Sequence, residues 1–348
     1  MDKRTGIRWV IAIAAVIILA GIFLVNIFST GKTGAGNLAY RQNFTYLEHF
    51  SDAAVPSALT ARGRVMLYGK TYYYYHDMES YLIIGTDASG REEASGGEYR
   101  GSMADFLLLF VVDKTEGSCR ILMLNRDTIT EIPLMQTDGT SMASAKLQLC
   151  TAHWYGGNRK QSCQNTVRAV SKMLGGIPIS GYYSMDMDSI AVINHAVGGV
   201  TVKNESDFSD IDASIKTGET LTLTDKQAVS FVQSRMHVDD GENTSRMARQ
   251  IQFMEAFIKK AQSMKTENSK LWIQLYQDLS DHAVTDITGK QLSRLLNQIS
   301  ENSYEGICTL EGKTRLGKRL GDGLFHTEFI LNKKSVRKVL GELYHLEK

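Results

Sequence analysis

YLIIGTD (residues 81–87), ADFLLLFVVD (104–113) and RILMLNRD (120–127) are the runs that set the fold. Each gathers apolar residues into a stretch too short for an ordinary helix and closes on polar residues, the pattern of a buried strand ending in a loop. Thr115, Glu116 and Gly117 supply a turn between the last two, which therefore pair as a hairpin. Downstream the period changes. In QNTVRAVSKMLGG (164–176), Val167, Val170, Met173 and Leu174 share one helical face, and Gly175 and Gly176 stop the helix. GVTVKN (199–204) reads as a further strand. TDKQAVSFVQSRM (224–236) opens on a Thr or Asp cap and keeps Ala228, Phe231 and Val232 on one side. A long helix is predicted from Ser245 to Met264, with more helices over 269–279, 288–301 and 334–344. Strands mixed with helices in this order predict one α/β domain, a sheet covered by helices.

The N-terminal region has a different character. Trp9 to Phe28 reads WVIAIAAVIILAGIFLVNIF, uncharged and long enough as a helix to span a bilayer core. Lys3, Arg4 and Arg8 precede it and the next basic residue is Lys32, so the basic flank stays cytoplasmic and the bulk of the chain is expected outside. The expected plan is a cytoplasmic tail (1–8), a transmembrane helix (9–28), a juxtamembrane stalk (29–78), a catalytic domain (79–265) and a mostly helical C-terminal extension (266–348). Within the stalk, TYYYYHD (71–77) reads as a strand or packing patch. The 348-residue chain has a formal net charge of +1, which provides no basic field for neutralising nucleic-acid phosphates. It has four cysteines. Cys150 and Cys163 flank a Gly- and polar-rich stretch that could close a disulfide in an oxidising compartment, the alternative being two buried thiols. No Cys/His spacing resembles a zinc site.

The chemistry-bearing residues gather at strand ends. Asp87 closes the first run, Asp105 opens the second, and Arg126 with Asp127 closes the third. If these strands are neighbours, their carboxylates and guanidinium converge on one crevice. Arg235, Arg246 and Arg249 flank the loop HVDDGENTS, and the last two are three residues apart on a helix, on one face. Guanidinium forks match phosphate oxygens bidentately, and carboxylate oxygens such as those of Asp87 and Asp105 suit Mg²⁺ or Mn²⁺, so this set fits a pyrophosphate group. Taken singly, each has an ordinary reading: an Asp as a turn former, an Arg on a solvated helix face.

The ordered combination resembles the LytR-CpsA-Psr catalytic domain from about residue 80 to 260. The blocks are YLIIGTD, ADFLLLFVVD, LNRDTITEIP, KLQLCTAHWYGG, LGGIPISGYYSMDM, NHAVGGVTV, GETLTLTDKQAVSFVQSR and SRMARQ. The resemblance implies a central mixed β-sheet flanked by helices on both faces, with an apolar groove for a polyprenyl chain. It also implies transfer of a glycopolymer phosphate from a polyprenyl pyrophosphate carrier to a peptidoglycan hydroxyl. Carried over by position, Asp87 and Asp105 would hold the metal. Arg126, Arg235, Arg246 and Arg249, with Gln233, would contact the pyrophosphate or support that shell. Arg126, Asp105 and Asp127 are the candidate catalytic residues, and the general base stays open among Asp87, Asp105 and Asp127. The chain departs from the family at Gln233, where an Arg is usual, at Met103, Asn125 and His195. Two other readings therefore stand beside the transferase: a weakened paralogue that binds lipid-linked pyrophosphate without turnover, and a transcription attenuator. An outward topology opposes the last, since it leaves only residues 1–8 in the cytoplasm.

Overall fold

The computed structural model describes residues 61–87, 101–136, 140–264, 275, 277–288, 291 and 303–348. The predicted tail, transmembrane helix and first part of the stalk lie outside the described residues. Among the described residues no helix is long and apolar enough to cross a membrane.

The strands in chain order are β1 (Gly63–Leu67), β2 (Lys70–Tyr74), β3 (Met78–Thr86), β4 (Ala104–Asp113), β5 (Ser118–Met123), β6 (Ile129–Met135) and β7 (Ser141–Gln148), then β8 (Gly181–Asp186), β9 (Thr201–Lys203), β10 (Thr220–Thr222), β11 (Ala283–Thr285), β12 (Ser303–Thr309), β13 (Gly312–Gly317) and β14 (His326–Leu331). Among the described residues the α-helices with both ends in view are α1 (Arg159–Met173), α2 (Ser189–Ala196), α3 (Asp225–Gln233), α4 (Asn243–Met264) and α5 (Lys333–Tyr344). Six strands form the central sheet in the order β11-β8-β3-β4-β5-β12. β8 runs parallel to β3 and β12 parallel to β5, while β4 pairs antiparallel with both of its neighbours, β3 and β5. The sheet is mixed, as expected.

Side-chain alternation splits the central strands between two cores. Leu82, Ile84, Leu107, Leu109 and Val111 face one way, packing with Val167 and Val170 of α1 and Val336 and Leu340 of α5. Tyr81, Ile83, Leu108, Phe110 and Val112 face the other way, toward Met247 and Met254 of α4. Helices thus cover both faces, which is why the runs of β3 and β4 are apolar nearly throughout. A third cluster, including Phe208, Phe231 and Leu279, joins α3 to α4 beyond the sheet. Local signals end the helices as read: Thr224 and Gln227 form a capping box on α3, and Gly175, at φ 82, follows α1.

Two boundaries differ from expectation. The described end of the predicted stalk is the β1–β2 hairpin, with Tyr72 and Tyr74 buried on one side and Met66 N–H bonded to Gly175 O at 2.8 Å. Alternate tyrosines here bury their rings, so the segment belongs to the domain. The described part of 266–348 is likewise no mostly helical extension. β11 and β12 are the two edges of the central sheet, β13 and β14 form a hairpin, and α5 matches its predicted helix; of the helices predicted over 269–279 and 288–301, most residues lie outside the described ones, and 275, 277–279 and 291 are helical. Strands such as SYEGICT lack clear alternation and are fixed by their partner: β12 pairs with β5 through an irregularity between Tyr304 and Ile307. Of the two alternatives for Cys150 and Cys163, the structure takes the pair of buried thiols. Cys163 Sγ lies 3.6 Å from His153 Nε2, whereas Cys150 Sγ lies against Arg126.

Because Leu340 of α5 is fully buried against β-sheet residues, Leu340→Ala is expected to lower unfolding stability by about 2–5 kcal/mol. Urea unfolding followed by circular dichroism measures this; a change below about 0.5 kcal/mol would show that the C-terminal helix is dispensable to the core.

Candidate active site

The three strand ends do meet. β3 runs into Asp87 at the end where β4 begins, and the antiparallel β4–β5 pairing brings β5 back to that same end, where the chain continues through Leu124 to Asp127. Gly85 pairs with Phe106 and Thr86 with Ala104, so Asp105 is the extra residue of a β-bulge. A bulge re-aims its side chain out of strict alternation, and here the carboxylate ends up 8% exposed beneath the guanidiniums. Gly85 is required opposite the bulge, since a Cβ there would come within 2.9 Å of Phe106 Cβ.

Asp105 Oδ1 forms a close ion pair with Arg126 Nη1 and lies 3.7 Å from Arg246 Nη2. Asp127, 2% exposed, lies 3.6 Å from Arg126 Nε and 3.7 Å from Arg235 Nη1. Two buried carboxylates therefore hold three guanidiniums supplied by the β5 end, the loop after α3, and α4. Several of these contacts have ion-pair rather than hydrogen-bond geometry: Asp105 Oδ1 and Asp127 Oδ2 are buried without a hydrogen-bond partner. Arg126 also touches Met103 Sδ and lies 3.1 Å from Cys150 Sγ.

Burial, followed by the like charges of Arg126 and Arg235, lowers the Arg246 pKa to about 9. It still carries its proton at neutral pH, in a place where positive charge is crowded and an anion is favoured. Burial raises the Asp127 pKa, against the opposing pull of Arg126, Arg235, Arg246 and His326. Asp87 stands exposed at the rim, close enough to act electrostatically on Arg126.

Arg249 and Gln233 are placed differently from their neighbours. Arg249 donates to Phe231 O at 3.1 Å and to Ser234 O, pairs with Asp239 at 3.1 Å, and sits 5.4 Å from the Phe208 ring centre. It is spent bracing the end of α3 and the loop that carries Arg235, rather than joining the cluster. Gln233 is exposed on the last turn of α3 and forms no hydrogen bond to the cluster among the described residues.

Sequence reasoning missed two positioning residues. Asn125 Oδ1 accepts from Asp127 N–H (2.9 Å) and from Asn243 Nδ2 (2.9 Å), while Asn243 Oδ1 accepts from Arg246 Nε (3.1 Å). This relay ties the β5 end to α4. Asn125 was visible in the sequence only as a departure from the family pattern, and nothing marked Asn243. The C-terminal segment also contributes a wall: Phe329 N–H donates to Asp127 O at 2.8 Å.

Beside the cluster, on the sheet face that bears Phe106, Leu108 and Phe110, lies an apolar groove of about 1030 Å³. Ile83 and Ile121 floor it, and Ile190 and Ile193 of α2 with Phe253, Met254 and Phe257 of α4 form its walls. Phe106 is the residue after Asp105, and Gln250 lies one helical turn beyond Arg246, so the groove opens next to the charged cluster.

Fold and site together define an α/β protein with an anion-attracting mouth on an apolar groove. The chain belongs to the LytR_cpsA_psr family, whose profile matches residues 52–344. A curated relative from Halalkalibacterium halodurans, polyisoprenyl-teichoic acid–peptidoglycan teichoic acid transferase TagU, is 32% identical over 185 residues, 53% of this chain and 54% of the relative. The chain thus aligns with only about half of that relative's length. Among solved structures, protein gbs0355 from Streptococcus agalactiae aligns with a TM-score of 0.59 at 20% identity, covering 76% of this chain and 86% of that one. TagT bound to LI-WTA aligns at 0.55 and 20% identity, covering 77% and 90%. At these identities the structural matches speak for the fold.

The raised Asp127 pKa has a consequence for stability. The folded state binds this proton more tightly than the unfolded chain, so the group's contribution is fully present below the unfolded pKa and is lost as pH rises through the folded one. Asp127→Asn cannot ionise and should therefore gain in melting temperature relative to the parent as pH rises across the range from about pH 4, the unfolded carboxylate value, upward. A difference that stays constant over that range contradicts the assignment.

Proposed function

We propose that this chain transfers a glycopolymer phosphate from a polyprenyl pyrophosphate carrier to a peptidoglycan hydroxyl, working outside the membrane and anchored by residues 9–28. The observation that carries the proposal is the pairing of an Arg126–Arg235–Arg246 cluster with the mouth of an apolar groove. A polyprenyl pyrophosphate has these same two parts, an oily chain and a multivalent anion. The groove takes the chain and keeps water from it; the guanidiniums take the phosphates. The teichoic acid named for the curated relative supports a wall glycopolymer as the donor class.

In the step itself, the acceptor hydroxyl oxygen bonds to the glycopolymer-proximal phosphorus and the bond from that phosphorus to the bridging oxygen breaks. Polyprenyl phosphate leaves, and the proton of the acceptor hydroxyl passes to one of the site carboxylates, Asp87, Asp105 or Asp127. The arginines stabilise charge building on the phosphoryl oxygens and on the leaving group. Asp105 and Asp127 are enclosed by arginines, whereas Asp87 is open to solvent where an acceptor arrives.

The residues also offer hard oxygen ligands to a divalent cation: the buried carboxylate of Asp105 and, at the adjoining strand end, Asp87. Mg²⁺ held by Asp87 and Asp105 would add neutralising charge at the phosphates. Arg126 and Arg246 hold the Asp105 carboxylate ready in either case.

The test incubates the protein with a synthetic polyprenyl-pyrophosphoryl saccharide, Mg²⁺ and peptidoglycan fragments. Arg126→Ala is expected to lower transfer by at least about 100-fold, as loss of one preorganised charge donor does elsewhere. Unchanged transfer would overturn the site.

Tight binding without turnover is the second reading, and the position of Gln233 favours it: a neutral, exposed amide stands where the family usually places a cation. On that reading Gln233→Arg adds a charge-assisted contact of about 1.5–3 kcal/mol and raises transfer roughly ten- to a hundredfold. No change in turnover would leave the parent enzyme fully competent and dismiss the weakened paralogue.

A further inference from the structure

The other end of β4 carries a second constellation. Asp113 closes this strand, eight residues beyond Asp105 and therefore roughly 26 Å along the sheet. Its carboxylate is 3% exposed, and its two oxygens face different partners. Oδ1 accepts from the backbone N–H groups of Thr115 (2.8 Å) and Glu116 (3.0 Å), which fixes the carboxylate in place. Oδ2 faces two imidazoles, His76 Nδ1 at 2.6 Å and His345 Nε2 at 3.1 Å.

His76 comes from the loop between β2 and β3, and His345 from the C-cap of α5, where it holds a left-handed φ of 49. The rings stack with centroids 4.2 Å apart and planes 22° from parallel. All three donor atoms lie within 4.8 Å of one another, so each can come to about 2 Å from a shared ion after small shifts. A polar pocket of about 660 Å³ opens onto Asp113 and His345, with room for water. The adjacent Lys114 ammonium is held away by Asp77 (2.8 Å) and Glu79 (3.0 Å), so its charge is answered elsewhere.

We propose that His76, Asp113 and His345 form a binding site for a zinc-class divalent ion, clasping the C-terminal helix to the loop that enters β3. Two imidazoles with one carboxylate is a borderline donor set that prefers Zn²⁺ or Co²⁺ to Mg²⁺, and three protein ligands leave a fourth position for water from the pocket. The backbone donors to Asp113 Oδ1 play the outer-shell part, orienting the ligand before the ion arrives. The site shares no residue with the arginine cluster, so it stands or falls independently of the proposed transfer reaction.

The experiment is metal binding by the full chain in detergent, by equilibrium dialysis with Zn²⁺ and by visible absorption with Co²⁺. With excess Mg²⁺ present to fill the Asp87–Asp105 position, one equivalent is expected, with Co²⁺ giving the intense bands of four-coordination. His345→Asn keeps a residue that tolerates the left-handed cap but removes the imidazole, and should weaken binding at least about 100-fold. His76→Gln, a loop substitution, should do the same and guards against a folding defect in the first variant. His282→Ala, in the separate Asp186–Asp188–His282 group, should leave the affinity within about twofold. Absence of a stoichiometric ion, binding that survives both histidine variants, or binding lost in His282→Ala would each overturn the proposal.

Discussion

A buried carboxylate on a bulge, Asp105 held against Arg126, is the contact on which the site's geometry rests. Breaking such a pair by removing one partner leaves a charge stranded out of water, at a cost of about 3–5 kcal/mol. Asp105 and Asp127 let Arg126, Arg235 and Arg246 approach one another; by formal charge the five groups still carry a surplus of one positive charge. Burial and, after it, the like charges of Arg126 and Arg235 lower the Arg246 pKa, and the surplus is what a pyrophosphate would discharge. Next to it the same β4 strand turns Phe106, Leu108 and Phe110 into the groove, so the bulge sets where charged and apolar surfaces meet.

The C-terminal segment is part of this arrangement. β12 completes the sheet beside β5, which carries Arg126 and Asp127 at its end, and β14 lays Phe329 and His326 near Asp127. α5 seals the face opposite the groove, and its Tyr344 hydroxyl lies 2.6 Å from Ser80 Oγ in the core. The family match, extending to residue 344, takes in this segment. Arg249 has an analogous supporting place: by filling the carbonyls at the end of α3 it fixes the loop on which Arg235 depends.

Much of this was legible in the sequence because the determining signals are short-range. Apolar runs at 81–87, 104–113 and 120–127 determined three buried strands, since only strands bury so short a stretch on both sides. The Thr224 cap and the glycines after α1 determined helix ends through contacts a few residues away. The ordered blocks identified the family and pointed to Asp105, Arg126, Asp127, Arg235 and Arg246, which the fold brings together, and also to Arg249 and Gln233, which it does not.

Tertiary structure decided what depends on partners distant in the chain. Whether an arginine three residues from another reaches the cluster or braces a loop is set by which carbonyls and carboxylates face it, and so Arg246 and Arg249 part ways. Cys150 meets a guanidinium rather than Cys163, Asn243 meets Asn125, and His345 meets His76 across nearly the whole described chain. The edge strand β12, with little pattern of its own, takes its conformation from the unpaired backbone groups of β5. Local sequence fixes propensity and periodicity within a few turns, but hydrogen-bond and ion-pair partners are assigned only when the sheet brings remote segments together.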